Sequence, residues 1–216
     1  MKAINPTTEQ IIHDYAETSE QNVETAVQRA AAAFPAWSRR SFAERAEKIV
    51  ALKELIQRNV EALARVNTLE AGKPIVQAEE EVRNCVSICD YYAEHAERFL
   101  LPETLTGDSG HRSIHYEPLG PLLAIMPWNY PFWQFLRAAV PAMMAGNVVL
   151  LKHASNVPGT SLAIGELFRK AGFLEGVLEV LLIRGSRTLK LIGDGRIRGV
   201  TVTGSERTGR RVAAEA

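Results

Sequence analysis

Three polar side chains stand out along the strongly apolar stretch MPWNYPFWQFLRAAVPAMMAGNVVLLKHAS, residues 126 to 155: Asn129, Arg137 and Lys152. A side-chain amide such as that of Asn129 can donate to an oxygen whose negative charge grows as a carbonyl is attacked. Lys152 ends a run of β-branched and aliphatic residues, and an ammonium at the carboxyl end of a buried strand reaches phosphate oxygens or ribose hydroxyls. Ser155 follows three residues later with a neutral hydroxyl, where a site selective for NAD would place a carboxylate against the ribose. A 2′-phosphate would not be repelled there, and Lys152 with His153 could face it. Near the end of the chain, GVTVTGSERTG runs a strand into Gly204 and Ser205 and then into a helix, whose free N–H groups can hold a phosphate.

Each of these residues also has a plainer reading. Asn129, read here as buried, would satisfy turn backbone. Lys152 would snorkel from a strand end to water, and Arg137 would be a helix arginine paired with a surface acid. Gly204 would mark an ordinary strand-to-helix turn, since Gly204 and Gly209 are five apart and fail the G-x-G-x-x-G fingerprint.

The elements that must position these residues follow from periodicity. From Ser19 to about Leu100 the pattern is helical in three segments. The first carries Val23, Ala26, Val27, Ala30 and Phe34 and is expected to end at Pro35. The second opens at Ser41 with Glu44 as a capping box and runs one apolar stripe through Ile49, Leu52, Ile56, Val60 and Leu63. After a turn at EAGKPI, the third spans about Ile75 to Phe99, with Val76, Val82, Val86, Cys89 and Tyr92 apolar and the run AEEEVR read as a solvated face. RSIHYEPLGPLLAIMPW then suggests an extended strand or hairpin and a buried strand. Beyond it, NVVLLKH, VLEVLLI and IRGVTVTG read as strands, and VPGTSLAIGELFRKAG, RTLKLIGD and SERTGRRVAAEA as helices. Apolar strands alternating with helices mark a parallel sheet with crossovers. The fold class is therefore α/β, a nucleotide-binding half preceded by a set of packed helices.

Composition narrows the function. The chain has 216 residues, 46% of them hydrophobic, with 25 basic and 25 acidic side chains. No net field gathers nucleic acid or an anionic membrane surface, and small-molecule chemistry is favoured. The opening MKAINPTTEQIIHDY lacks the apolar core of a secretory signal, and the run from Val140 to Leu151 is too short to span a bilayer. The protein is read as soluble and cytoplasmic. Cys85 and Cys89, four apart on a probable helix, are too few for a structural zinc site and read as small apolar residues in a helix seam.

NPTTEQ, TLEAGKP, YEPLGPLLAIMPWNYP, AMMAGNVVLLKHAS and GVTVTGSERTG, in this order, resemble the aldehyde dehydrogenase superfamily and most closely its succinate-semialdehyde dehydrogenase-like members. The resemblance covers essentially the whole chain. It implies a Rossmann-like domain binding NADP or NAD, with Met126, Trp128, Lys152, Ser155, Gly204 and Ser205 around the cofactor. Asn129 would lie in the oxyanion hole, and Arg137, eight residues later, would hold the carboxylate of succinate semialdehyde. It further implies an organisation of helices over 19–100, an oligomerisation-type strand at about 107–118, and a nucleotide-binding α/β unit over 119–216. The family's glutamate in an E-L-G-G motif and its catalytic cysteine have no counterpart here, and neither Cys85 nor Cys89 matches the nucleophile. The chain is therefore expected to be the amino-terminal part of an aldehyde dehydrogenase, with the carboxy-terminal catalytic domain absent and no activity alone. It would associate with itself or with a chain carrying the catalytic half. The alternatives are a cofactor-binding or subunit-association module without activity, or an unstable remnant.

Overall fold

The computed structural model describes residues 1–105 and 112–216. A short antiparallel hairpin of β1 (Lys2–Ile4) and β2 (Ile11–Asp14) opens the chain, where periodicity gives no element. Four helices follow: α1 (Glu20–Ser38), α2 (Phe42–Arg58), α3 (Val60–Ala71) and α4 (Ile75–Phe99).

Two boundaries in this helical part differ from expectation. Pro35 does not end α1, which continues to Ser38 because the next turn buries Trp37, whose Nε1 donates to the Met143 carbonyl at 3.1 Å. The stripe from Ile49 to Leu63 belongs to two helices, broken at Asn59, whose φ of −119° leaves the helical range and whose side chain donates to the Leu55 carbonyl at 2.7 Å. The Ser41–Glu44 capping box is present in full, and Gly72 ends α3 in the left-handed conformation. Along α4, Val76 is exposed in the first turn, whereas Glu81 from the expected solvated run is buried.

An exposed hairpin of β3 (Glu103–Leu105) and β4 (Arg112–Ile114) leads to the main sheet. Part of the oligomerisation-type strand expected at about 107–118 falls in 106–111, outside the described residues. The sheet contains β5 (Pro121–Met126), β6 (Val148–His153), β7 (Leu178–Val180) and β8 (Gly199–Val202), all parallel in the order β7-β6-β5-β8. Crossovers are α5 (Pro131–Met144), α6 (Pro158–Lys170) and α7 (Gly185–Ile192), and α8 (Glu206–Glu215) follows β8. β7 is shorter than the apolar run VLEVLLI, although Leu181 still donates to the Leu151 carbonyl at 2.8 Å. β5 and β6 are almost entirely buried, as strands covered on both faces must be, which explains their continuous apolar sequence.

α1 belongs to this α/β layer as much as to the helices that follow it. Its Arg29 makes a bidentate pair with the buried Glu179 of β7 at 2.9 and 2.7 Å, and Gly176 before β7 lies against the Arg29 carbonyl. α4 packs along α2, α3 and α5, so the helical part is joined to the sheet through α5.

Candidate functional site

The sheet order fixes where a ligand can sit. The chain lays β5, then β6 and β7 to one side, then returns to place β8 on the other side of β5. Connections leave β5 and β8 in different directions, opening a crevice at their carboxyl ends, where open α/β sheets bind ligands. Met126 ends β5 with Trp128 and Asn129 just beyond it; Lys152 and Ser155 lie at and after the end of β6; Gly204 and Ser205 follow β8. All seven residues therefore share one edge of the sheet. Arg137 stands two turns into α5, exposed, donating to Gln134 Oε1 at 2.9 Å.

Strand alternation sorts these side chains by face. Lys152 and its register partner Ile125 look toward α7 and α8, where they line a cavity of about 160 Å³ with Thr188, Arg207, Thr208 and Arg211. Among the described residues, three cations and no carboxylate line this space, which suits a phosphate-bearing ligand. Lys152 is buried without a hydrogen bond or ion pair among the described residues, and burial holds its ammonium below the ordinary lysine pKa, so an entering anion would gain an otherwise unpartnered charge. Ser205 caps α8 by accepting from Thr208 N at 3.3 Å, while Gly204 is exposed beside it.

Met126 and His153 pair on the opposite face. His153 is buried against Phe135 of α5, its centroid 6.4 Å from the ring, and cannot face a cofactor phosphate beside Lys152 as the sequence suggests. Neighbouring residues of one strand point to opposite sides, which is the physical reason. Burial pushes its pKa down to about 4, although the nearby Met126 and Pro127 backbone partly favours the proton; neither ring nitrogen has a well-formed hydrogen bond.

Asn129 is exposed, not buried, as are Trp128 and Tyr130 on either side of it. The apolar neighbours that give it an interior look themselves project from the sheet edge. The bend carrying Asn129 is nonetheless held firmly from below. Glu81 Oε1 accepts from the first-turn N–H groups of Phe132 and Trp133 at 2.9 and 3.1 Å, and Oε2 accepts from Asn67 Nδ2 at 2.8 Å and from Lys73 Nζ. The same ammonium lies 3.5 Å from the Tyr130 ring centroid. A buried carboxylate thus caps α5 from a distant helix, complementing the positive end of its dipole. Glu70 does the same for α6, accepting from Gly159 N at 2.7 Å and from Thr160 N and Oγ1 at 2.8 and 2.9 Å.

Both cysteines lie in the seam of α4, fully buried, as expected. Burial pushes the Cys85 thiol well above its usual pKa and the Cys89 thiol up to about 12, so neither forms the thiolate that covalent carbonyl chemistry needs. Among the described residues no cluster of histidine, cysteine and carboxylate side chains could hold a metal ion, and no helix is long and apolar enough to cross a membrane.

The family model that matches the chain is the aldehyde dehydrogenase family, over residues 1–216. The chain belongs to the aldehyde dehydrogenase family. It is 43% identical over 213 residues to a probable NADP(+) succinate-semialdehyde dehydrogenase of Synechocystis sp., covering 99% of this chain and 47% of that protein. It is 41% identical to the NAD(P)+ succinate semialdehyde dehydrogenase Sad of Escherichia coli, covering 99% of this chain and 46% of that one. Its backbone superposes on the succinic semialdehyde dehydrogenase of Streptococcus pyogenes in complex with NADP+ with a TM-score of 0.96 at 32% identity, over 99% of this chain and 47% of that one. This aldehyde dehydrogenase chain spans about half the length of the relatives it matches.

Several site residues of this family member escape sequence reasoning. Glu81 is hidden in a charge run, yet it falls on the stripe of Ala78, Val82, Cys85 and Cys89, a spacing that marks a buried position. Lys73 stands in TLEAGKP, where nothing local gives it a role. Arg207 and Arg211, four apart on α8, face the same cavity, and helical periodicity alone could have paired them.

Proposed function

We propose that this chain forms the nucleotide-binding half of an enzyme that oxidises a small aldehyde, succinate semialdehyde, to its carboxylic acid with NADP+ or NAD+. The observation that carries this reading is the crevice at the β5/β8 switch, with the buried Lys152 ammonium on one side and Asn129 on a braced bend on the other. The succinate-semialdehyde dehydrogenases named above, one of them in complex with NADP+, support it.

The cofactor, when bound, supplies the hydride acceptor. Lys152 and the N-terminal turn of α8, with Gly204 and Ser205, would hold its ribose and phosphates, and Met126 and Trp128 would border it. The Asn129 amide would donate to the carbonyl oxygen as a nucleophile adds and negative charge builds there. Arg137, exposed on α5 with its guanidinium engaged only by the neutral Gln134 among the described residues, would pair with the distal carboxylate of the substrate. The nucleophilic thiolate and its base must come from residues other than Cys85 and Cys89, so the chain as it stands is expected to bind cofactor without turning over aldehyde. Because these 216 residues hold only those two cysteines, a second copy could not supply the thiolate, and aldehyde oxidation would call for a chain carrying the catalytic half.

Calorimetry of the 216-residue chain with NADP+ and NAD+, beside a steady-state assay with succinate semialdehyde, tests the reading. Nucleotide binding without turnover is expected; binding of neither nucleotide would overturn it. In a chain completed with the catalytic half of a close relative, Arg137→Ala should lower kcat/KM for succinate semialdehyde by well over about tenfold and spare an uncharged aldehyde, the loss of a charge-assisted pair. Equal losses for both substrates would make Arg137 a structural residue.

A further inference from the structure

β7 forms one edge of the main sheet and pairs with β6 alone. Val149 N donates to the Val177 carbonyl at 2.9 Å, and Leu181 N to the Leu151 carbonyl at 2.8 Å. Backbone groups alternate in direction along a strand, so Val177, Glu179 and Leu181 turn theirs toward β6 while Leu178 and Val180 turn their N–H and C=O groups outward. Among the described residues nothing pairs with those outward groups. A cavity of about 450 Å³ runs along this edge, from Arg29 of α1 on one face of the sheet to Phe168, Phe173 and Leu174 at and after the end of α6 on the other. We infer that this edge pairs with β7 of a second copy of the chain, antiparallel about a twofold axis at Glu179, joining two four-stranded sheets into one.

The edge is complementary to itself. In this arrangement Leu178 of each copy stands opposite Val180 of the other, and each such pair exchanges both N–H···O=C bonds, so every outward group of the two strands finds a partner. Leu178 and Val180 share the face covered by α6, where a Cβ on Gly165 would lie 3.0 Å from Val180 Cγ2. Both side chains are half-buried, and across the axis they would meet as apolar cross-strand pairs over the cavity. Leu162, one turn before Gly165 on the same side of α6 and 43% exposed, extends this apolar surface. The charges beside the edge are matched within each copy. Arg29 holds Glu179 in a bidentate pair and lies 3.7 Å from Glu175, and Arg169 donates to both oxygens of Glu166 at 2.7 and 2.6 Å. Among the described lining residues no unmatched charge repels an identical surface or calls for a charged partner.

Cysteine crosslinking reads this pairing directly. At the axis, Glu179 of the two copies would form a non-hydrogen-bonded antiparallel pair with Cα atoms about 4.5 Å apart, within reach of a disulfide. Cys85 and Cys89 are fully buried and stay out of the reaction. Oxidation of the Glu179→Cys chain at micromolar concentration should give a covalent dimer on non-reducing gels. Its yield should exceed by about tenfold that of Glu175→Cys, a more exposed position whose own copy would lie beyond disulfide reach. Association through any other surface would not bring the two Glu179 positions together. Val180→Pro removes an outward N–H and none of the bonds to β6, and it should abolish the crosslink. Leu162→Arg charges the flank of the interface without touching the sheet. Each of these two substitutions should weaken dimerisation in sedimentation by about tenfold or more. Equal crosslinking at the two cysteine positions, or dimerisation that both substitutions leave unchanged, would overturn the pairing. So would a monomer whose Leu178 and Val180 amides exchange with deuterium as fast as an open chain, because the edge would then be solvated. Protection of those amides that arises only on adding a chain with the catalytic half would assign the edge to that chain instead.

Discussion

Glu81 meets four donors out of reach of solvent, two of them backbone N–H groups of α5 and one the ammonium of Lys73. Glu81→Ala leaves that ammonium buried without its counter-charge and uncaps α5. Breaking one side of a buried pair costs about 3–5 kcal/mol, so urea unfolding should show a loss of that size; a change below about 1 kcal/mol would mean that water readily replaces the carboxylate. His153 supplies a second expectation, in pH. Its imidazole is neutral in the fold, with a pKa of about 4, but takes up a proton around 6.5 in the unfolded chain. Between those values the unfolded state binds more protons, so stability falls as pH drops through 6.5 toward 4. By about pH 5 the loss from this group amounts to roughly 2 kcal/mol. Urea midpoints measured from pH 7 to pH 5 should decline less steeply in His153→Gln than in the unsubstituted protein, and parallel profiles would show that another group governs the acid limb.

At the scale of elements, the junction between α6 and β7 depends on one glycine. Gly176 has a φ of +88°, and a Cβ there would lie 2.5 Å from the Arg29 carbonyl oxygen and 2.8 Å from Ala33 Cβ. Both the backbone conformation and the close approach of α1 require glycine. Gly176→Ala should cost more than about 2 kcal/mol, a fall in Tm of roughly 4–8 °C for a chain of this size, read by thermal unfolding. An unchanged Tm would mean that α1 can move away from the sheet without penalty. Buried carboxylates tie the helical part to the sheet at two further places. Glu70 and Glu81, from α3 and α4, reach across to the amino ends of α6 and α5, so two crossover helices begin against neighbouring helices and not in solvent.

For the whole molecule, apolar residues collect around the β3–β4 hairpin. Phe99, Leu101, Leu105, Ile114, Tyr116 and Leu119 are all exposed, and Leu105 and Ile114 lie on one face of the two strands. A two-stranded hairpin is marginal on its own in water, and an apolar patch of this kind promotes association. Sedimentation should show mass increasing with concentration in the micromolar range, and Leu105→Glu combined with Ile114→Glu should shift the population toward monomer. A single monomeric species at all concentrations before substitution would remove this surface from consideration.

Residues close in sequence sufficed to place most of the elements. The alternation of apolar strands with helices, the Ser41–Glu44 box, the glycine turn at Gly72 and the strand-to-helix step at Gly204–Ser205 are local patterns, each governed by interactions within a few residues. They led to an α/β nucleotide-binding unit with Asn129, Lys152, Ser155, Gly204 and Ser205 after its strands, whereas Met126 and Trp128 followed only from the family resemblance. Tertiary packing decided what those patterns could not. Whether a glutamate in a charged run is solvated or central depends on which helix lies against it, and α5 made Glu81 central. Whether Asn129 is covered depends on what stands beyond the sheet edge, which leaves it exposed. Lys152 and His153 are adjacent in the chain, yet the two layers of helices send one to a cationic cavity and the other into the core. Arg184 and Ser155 line one cavity only because β7 is laid beside β6, a strand pairing that nothing near either residue in the sequence announces.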